Sequence, residues 1–152
     1  MKFHLDGSLE IKASPEKTYS SLCTPEFMVT TIPDLQSHKI IDENTFEAKA
    51  KVGFSIVRGT VDLKFFLSDK TPNAHAKLVG DGSGVGSKIH IDSVFDLSPS
   101  PNGTVMKWFA EADLSGVASG IGGNMLKSQS EKMVSQIFEN IKKKLEESSP
   151  PS

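Results

Sequence analysis

The middle of the chain alternates between apolar and polar residues, and this period of two constrains the fold more than any other feature of the sequence. In TFEAKAKVGF, Phe46, Ala48 and Ala50 lie on one face of an extended chain, and Glu47 and Lys49 lie on the other. VRGTVDLKFFL, SKIHIDSVFDL and TVMKWFAEADL repeat the pattern, and LQSHKIID and AHAKLVG follow it more weakly. Strands with one apolar and one polar face predict an antiparallel sheet that is wetted on one side.

A long segment near the end of the sequence predicts a helix instead. Residues 124–147 contain no Gly or Pro, and Met133, Ile137, Ile141 and Leu145 recur at helical spacing. Because the apolar face of the sheet has to be covered, we expect this amphipathic helix to pack against it.

The first strand leads into two short helices. The opening segment, MKFHLDGSLEIK, alternates as a strand. Ser14 and Thr24 are each followed by Pro-Glu, a pattern typical of an N-cap and the first turn of a helix, and Pro33 ends the second helix. The predicted order is one strand, two short helices, about six strands and one long helix.

Composition favours a single globular domain and argues against some partners. The 152 residues suit one domain, predicted over residues 1–147, with SSPPS at residues 148–152 as a disordered tail. The formal net charge of -2 argues against nucleic-acid binding, which needs a basic surface. The single cysteine, Cys23, excludes an internal disulfide, and the sequence shows neither a signal peptide nor a membrane-spanning stretch, so we expect a cytoplasmic protein.

Residues 80–88, GDGSGVGSK, are glycine-rich but do not match a phosphate-binding loop. Such a loop ends in Gly-Lys-Ser/Thr, whereas Ser87 and Ile89 stand on either side of Lys88, and the dinucleotide-binding pattern fails as well. We expect the four glycines to mark a turn and the bent ends of strands, because glycine permits positive φ and close backbone approach.

The sequence contains no constellation of residues that points to catalysis or to a metal. His90 and Asp92 share a strand face, but two ligands are too few for a specific zinc site. No serine or cysteine is paired with a base, and the carboxylates of the strands fall on the polar face. We therefore predict no cofactor, no metal and no enzymatic activity of the chain alone.

The segment ASPEKTYSSLCTPEFMVTTIPDL resembles the opening of the carbon monoxide dehydrogenase CoxG family, which belongs to the START-like, or birch-pollen-allergen (SRPBCC), superfamily. The glycine-rich LSGVASGIGGNML before the long helix resembles the same family. Tyr19 stands where Trp is usual in the family, and Asp34 replaces a glycine. The matching positions are Ser14, Pro15, Tyr19, Leu22, Pro25, Glu26, Ile32 and Pro33.

The resemblance implies an α+β helix-grip fold, in which a curved antiparallel sheet grips the long helix and leaves a hydrophobic cavity. It implies a non-enzymatic accessory protein that binds an apolar small molecule, lipid- or quinone-like. The protein would assist a molybdenum hydroxylase complex of the carbon monoxide dehydrogenase type in maturation, membrane recruitment or electron-acceptor handling. Two alternatives stay open: a cavity enzyme of the polyketide cyclase/dehydrase type, and a co-chaperone-like domain that binds a protein.

Strand alternation and the apolar stripe of the helix predict the lining of this cavity. Phe27 is added because the second short helix flanks the cavity mouth in relatives. We expect residues 116–123 either to pack closely or to form a lip at the mouth, and residues 142–144, all lysines, to form a solvated helix face or a weak membrane-surface contact. The predicted lining residues are Phe27, Phe54, Phe65, Ile91, Trp108, Met125, Met133 and Ile137.

Overall fold

A seven-stranded antiparallel sheet forms most of the protein, with two short helices after the first strand and a long helix at the end. The structure is a computed structural model that describes residues 2–54, 57–116 and 123–148. The elements are β1 (Lys2–Ile11), α1 (Pro15–Leu22), α2 (Pro25–Val29), β2 (Leu35–Asp42), β3 (Thr45–Phe54), β4 (Val57–Thr71), β5 (His75–Gly84), β6 (Ser87–Ser100), β7 (Gly103–Gly116) and α3 (Gly123–Ser148).

The strand order across the sheet is β1-β7-β6-β5-β4-β3-β2, so β1 and β2 lie at opposite edges. The helices α1 and α2 carry the chain between these edges: α1 contacts β6 and β7, and α2 contacts β2 and β3. The long helix α3 contacts β1 and α1, and it extends one residue beyond each end of the predicted span. The predicted helix-grip architecture is therefore confirmed. We call the sheet face that the helices cover the inner face.

The two short helices begin at the predicted residues but by different means. The side chain of Ser14 accepts a hydrogen bond from the backbone N–H of Lys17 at 3.1 Å, which caps α1. Thr24 occupies the N-cap position of α2 but makes no such bond. Its hydroxyl instead donates to the carbonyl of Ser20 at 2.6 Å, so this side chain satisfies the end of α1 rather than the start of α2.

The glycine-rich segment divides into a turn and part of a strand. Gly84 and Gly86 have φ values of 147° and 76° and form the turn between β5 and β6, as predicted. Gly80 and Gly82 lie inside β5, so the prediction that they mark a turn or strand ends is wrong. A Cβ atom on Gly80 would lie 2.6 Å from the ring of Phe65, so this glycine leaves room for a side chain on the neighbouring strand.

The core lies between the inner face and the helices, and it is tightest near the end of α3. Leu67, Ala76 and Met106 of the sheet are buried there. Ile141 and Leu145 of α3 cover them and are themselves almost completely buried. Further buried residues of this cluster come from all three helices and the adjoining strands: Ile11, Ala13, Leu22, Met28, Val29, Phe46, Ala48, Phe95 and Leu97.

Two predictions concern segments that lie outside the described residues. The tail beyond residue 148 is one of them, so the proposed division into a domain and a disordered tail stays a prediction. The other is the loop of residues 117–122, most of the segment for which a lip or close packing was expected. Within the described ranges, no helix combines the length and the hydropathy needed to cross a membrane.

Candidate ligand-binding site

The inner face is covered unevenly, and its uncovered part is the candidate site. Towards the start of α3, the apolar side chains of Leu63, Phe65, Ile89 and Ile91 are half-buried. They belong to β4 and β6, on either side of β5, and they extend the inner face beyond the buried core. We call these four residues the open end of the inner face. A contiguous apolar surface that the protein's own helices leave half-covered is typical of a ligand groove.

The helix shows the same gradient of burial as the sheet. Ile141 and Leu145 are buried, Ile137 and Val134 are half-buried, and the side chain of Met133 is 43% exposed. The exposed fraction therefore rises towards the start of α3, on the same side as the open end. Sheet and helix together leave an apolar space that narrows towards the end of α3.

Glycines on β5 shape the floor of the open end. Phe65 and Ile91 both pair with Gly80, and Leu63 and Ile89 both pair with Gly82. Because these glycines carry no side chain, side chains from β4 and β6 lie over the β5 backbone. The ring of Phe65 also stacks on Phe46 with a centroid distance of 5.1 Å, which holds it in place.

Trp108 marks the boundary between the buried core and a second opening. Its indole stacks on Phe138 of α3 at a centroid distance of 4.6 Å. A Cβ atom on Gly7 would lie 2.8 Å from the indole, so β1 lets the ring lie directly over its backbone. Beside the indole, a pocket of about 340 Å³ opens between β1 and α3. This β1–α3 pocket is lined by His4, Leu5, Asp6, Trp108, Glu131, Val134 and Ser135.

The structure places six of the eight predicted lining side chains. Phe65 and Ile91 lie next to each other at the open end. Trp108 and Ile137 pack against the edge of the core, and so does Phe27 from α2. Met133 lies next to Val134 of the β1–α3 pocket and is the most exposed of the six. The side chains of Phe54 and Met125 lie outside the described residues.

Two groups of residues at the site were not predicted. Leu63 and Ile89 follow the same alternation as Phe65 and Ile91, so the sequence pattern was sufficient to include them. His4, Asp6 and Glu131 of the β1–α3 pocket lie at positions that read as polar surface. No pattern in the sequence indicates that β1 and α3 bring them to one pocket.

Most polar side chains inside the fold are already hydrogen-bonded to the backbone. Ser93 donates to the carbonyl of Leu78 at 2.7 Å, and Thr104 donates to the carbonyl of Ala13 at 2.7 Å. Among the described residues, the side-chain oxygens of Thr18 and Ser100 are buried without a hydrogen-bond partner. Hydroxyls that are fixed in this way act as structural donors rather than as nucleophiles.

The pair formed by Tyr19 and Cys23 is not poised for nucleophilic chemistry. Burial, followed by the hydrogen bond with Cys23, raises the pKa of Tyr19 to about 12. Burial likewise raises the pKa of the Cys23 thiol, and the hydrogen bond with Tyr19 opposes this shift. Both groups are therefore protonated at neutral pH, whereas a reactive cysteine needs a lowered pKa.

His90 lies on the outer face of the sheet, between two aspartates. Its Nδ1 lies 2.7 Å from Oδ1 of Asp81, and its Nε2 lies 3.1 Å from Oδ2 of Asp92. The hydrogen bond with Asp81, more than any other contact, raises the pKa of His90. Among the described residues, no three His, Cys, Asp or Glu side chains are arranged to hold a metal ion.

Comparison with known proteins identifies the family. The sequence matches the family of CoxG, a subunit of carbon monoxide dehydrogenase, over residues 7–146, which is nearly the whole chain. The chain belongs to the carbon monoxide dehydrogenase CoxG family. The match includes the short helices and the long helix, so the resemblance inferred from the Pro-Glu segments and the glycine-rich loop is confirmed.

Solved structures similar to this member of the CoxG family support the fold. A conserved protein from Geobacillus kaustophilus is 26% identical, with a TM-score of 0.86, and the match covers 96% of this chain and 97% of that one. A START superfamily protein from Mycobacterium smegmatis is 12% identical, with a TM-score of 0.75, and the match covers 96% and 99%. The second likeness shows the START-like fold alone. Among proteins with curated descriptions, none matches the sequence.

Proposed function

We propose that this protein is a non-enzymatic accessory protein that holds an apolar small molecule, lipid- or quinone-like, between the inner face and α3. The observation that carries the proposal is the open end of the inner face, where contiguous apolar side chains are half-buried beside a fully buried core. Removing apolar surface from water contributes about 25 cal/mol per Å², so a ligand that completes the burial of these side chains gains free energy in proportion to the area it covers.

The family supports the context of this binding. By its name, the family contains a subunit of carbon monoxide dehydrogenase. The protein would assist a molybdenum hydroxylase of this type in the cytoplasm, in maturation, in recruitment to the membrane or in handling its electron acceptor. The three lysines at residues 142–144 would supply a weak contact with an anionic membrane surface.

The internal hydrogen bonds favour binding over catalysis. A cavity enzyme needs convergent polar groups that are free to act on a substrate. Ser93 and Thr104 are engaged with backbone carbonyls, and burial keeps the Cys23 thiol protonated. A cavity enzyme and a co-chaperone-like domain therefore rank below a carrier.

The proposal is tested by ligand capture and by filling the space. Native mass spectrometry of the purified protein should detect a co-purified apolar molecule. Titration with Nile red, an uncharged hydrophobic fluorophore, should give saturable binding. Ile137→Trp should weaken this binding about ten-fold or more, because Ile137 is half-buried against the core and a larger side chain there occupies the ligand space.

Lys132→Trp is the matched control, since it places the same side chain on an exposed position of α3. It should leave Nile red binding within about two-fold of the parent. If Ile137→Trp does not fold, Ala112→Leu tests the same space from the opposite wall. A parent that does not bind Nile red, or folded filled variants that bind it as tightly as the parent, would exclude the carrier function.

A further inference from the structure

The β1–α3 pocket joins an apolar floor to an acidic rim. Leu5, Trp108 and Val134 supply apolar surface at its base. Asp6 on β1 and Glu131 on α3 lie on opposite walls. The pocket therefore connects solvent to the indole at the boundary of the core, and a ligand that passes through it or leaves its polar end there meets both carboxylates.

Charges within the protein do not neutralise this rim. Among the described residues, neither Asp6 nor Glu131 takes part in a salt bridge. His4 is the only basic side chain in the lining, and its ring stacks on Phe109 with a centroid distance of 6.0 Å. The pocket thus presents two acidic groups to one weakly basic group, and clefts lined by one sign of charge concentrate the opposite charge.

Carboxylates also limit the kind of hydrogen bond that the pocket offers. An ionised carboxylate accepts hydrogen bonds and does not donate them. A cationic or hydroxyl-bearing end of a ligand satisfies both acidic groups, whereas an anionic end is repelled by them. Specificity of this kind comes from the repulsive element as much as from the attractive one.

From these observations we infer that the β1–α3 pocket holds the polar end of the apolar ligand and selects ends that donate hydrogen bonds and carry no negative charge. The pocket takes ammonium or hydroxyl ends and excludes fatty-acid carboxylates. The inference rests on the proposed function, because it concerns the polar end of the same ligand.

Three ligands with one chain length separate head selectivity from hydrophobic binding. Decylamine, decanol and decanoate are each used to displace Nile red from the purified protein at neutral pH and low ionic strength. Decylamine should bind about ten-fold more tightly than decanoate, with decanol between them. Added salt should narrow the difference between the two charged ligands, because it screens charges at an open pocket.

Charge removal locates the selectivity. The double variant Asp6→Asn/Glu131→Gln should reduce the ten-fold difference to about two-fold, while decanol binding changes little. The matched control Glu10→Gln/Glu139→Gln removes the same charge from exposed positions of the same two elements outside the pocket, and it should keep the difference. Urea midpoints of both double variants check that the fold is intact.

The outcomes distinguish this inference from the proposed function. Decanoate binding as tightly as decylamine, or a difference that survives in Asp6→Asn/Glu131→Gln, would overturn the head selectivity and leave the carrier function standing. Nile red binding that none of the three decyl compounds displaces would also count against the inference. Failure of Nile red itself to bind would exclude both the carrier function and the inference.

Discussion

At the scale of single residues, two glycines within β5 determine how the inner face is built. Gly80 faces Phe65 and Gly82 faces Leu63 and Ile89, and a Cβ atom at either glycine would approach these side chains to less than 3.0 Å. Neither glycine has a positive φ, so the constraint comes from packing rather than from the backbone. These glycines let large apolar side chains lie flat at the open end.

Gly80→Ala should therefore destabilise the protein by about 1–3 kcal/mol, the usual cost of overpacking. Urea unfolding measures the change. Gly53→Ala is the control, because nothing lies within 4 Å of the position a Cβ would take there. If the ring of Phe65 is the cause, adding Phe65→Leu should make Gly80→Ala less costly in a double-mutant cycle; equal costs in both backgrounds would contradict this explanation.

On the outer face, His90 links β5 to its own strand β6 through Asp81 and Asp92. Its pKa in the folded protein is raised above the ordinary value of 6.5. A raised pKa means that the folded state binds the proton more tightly than the unfolded state. The stabilisation is complete below about pH 6.5 and is lost as the pH rises through the folded pKa. Because the side chain is 47% exposed, the effect is small.

His90→Gln should lower the urea midpoint at about pH 5.5 more than at about pH 9. Asp81→Asn should reproduce most of the pH-dependent part, because the hydrogen bond with Asp81 is the largest cause of the shift. Combining the two substitutions should give less than the sum of their effects. A loss of stability in His90→Gln that is the same at both pH values would show that the ion pair is not its source.

At the scale of elements, α3 is held unevenly along its length. Its end is fixed by Ile141 and Leu145, by a hydrogen bond of 3.0 Å from the Asn140 side chain to the carbonyl of Thr31, and by Glu146, which accepts from the N–H of Lys12 at 2.9 Å. Residues 131–134 are exposed or half-buried and have no comparable anchors among the described contacts. The local stability of the helix should therefore increase along the chain.

Amide hydrogen exchange should show this difference along α3. Amides near residues 128–134 should exchange faster than those near residues 138–145, since exchange through local opening depends on the buried contacts that each segment loses. A bound decyl ligand should slow exchange mainly in the first group. Uniform protection along the helix, with or without ligand, would contradict the uneven attachment of α3.

At the scale of the whole molecule, ligand binding and folding are linked through the shared apolar core. A ligand that binds the folded but not the unfolded chain stabilises it by mass action, by about 2.7 kcal/mol at a concentration 100 times Kd. For a chain of about 150 residues this corresponds to a rise in Tm of roughly 5–10 °C.

Decylamine at 100 times its Kd should therefore raise the Tm measured by circular dichroism by roughly 5–10 °C in the parent. The same concentration should raise the Tm of Ile137→Trp much less, while Lys132→Trp should respond like the parent. Equal shifts in the parent and in folded Ile137→Trp would place binding outside the space between the inner face and α3.

Local patterns in the sequence determined the elements and their order. A period of two along each strand, the Ser14 cap and a helical stripe free of Gly and Pro depend on neighbours a few residues apart, so they are legible before folding. The family resemblance rests on the same local segments. The sequence pattern also assigned Phe65, Ile91 and Trp108 to the inner face, because alternation fixes the face on which a side chain lies.

Tertiary structure alone decided how far each of those side chains is covered. Burial depends on where α3 lies against a sheet whose strands come from distant parts of the chain, and alternation carries no information about that distance. For the same reason the fold gave Gly80 and Gly82 the task of admitting neighbouring side chains, rather than forming a turn. It also brought Asp6 and Glu131, each on the polar side of its own element, to a single pocket beside Trp108.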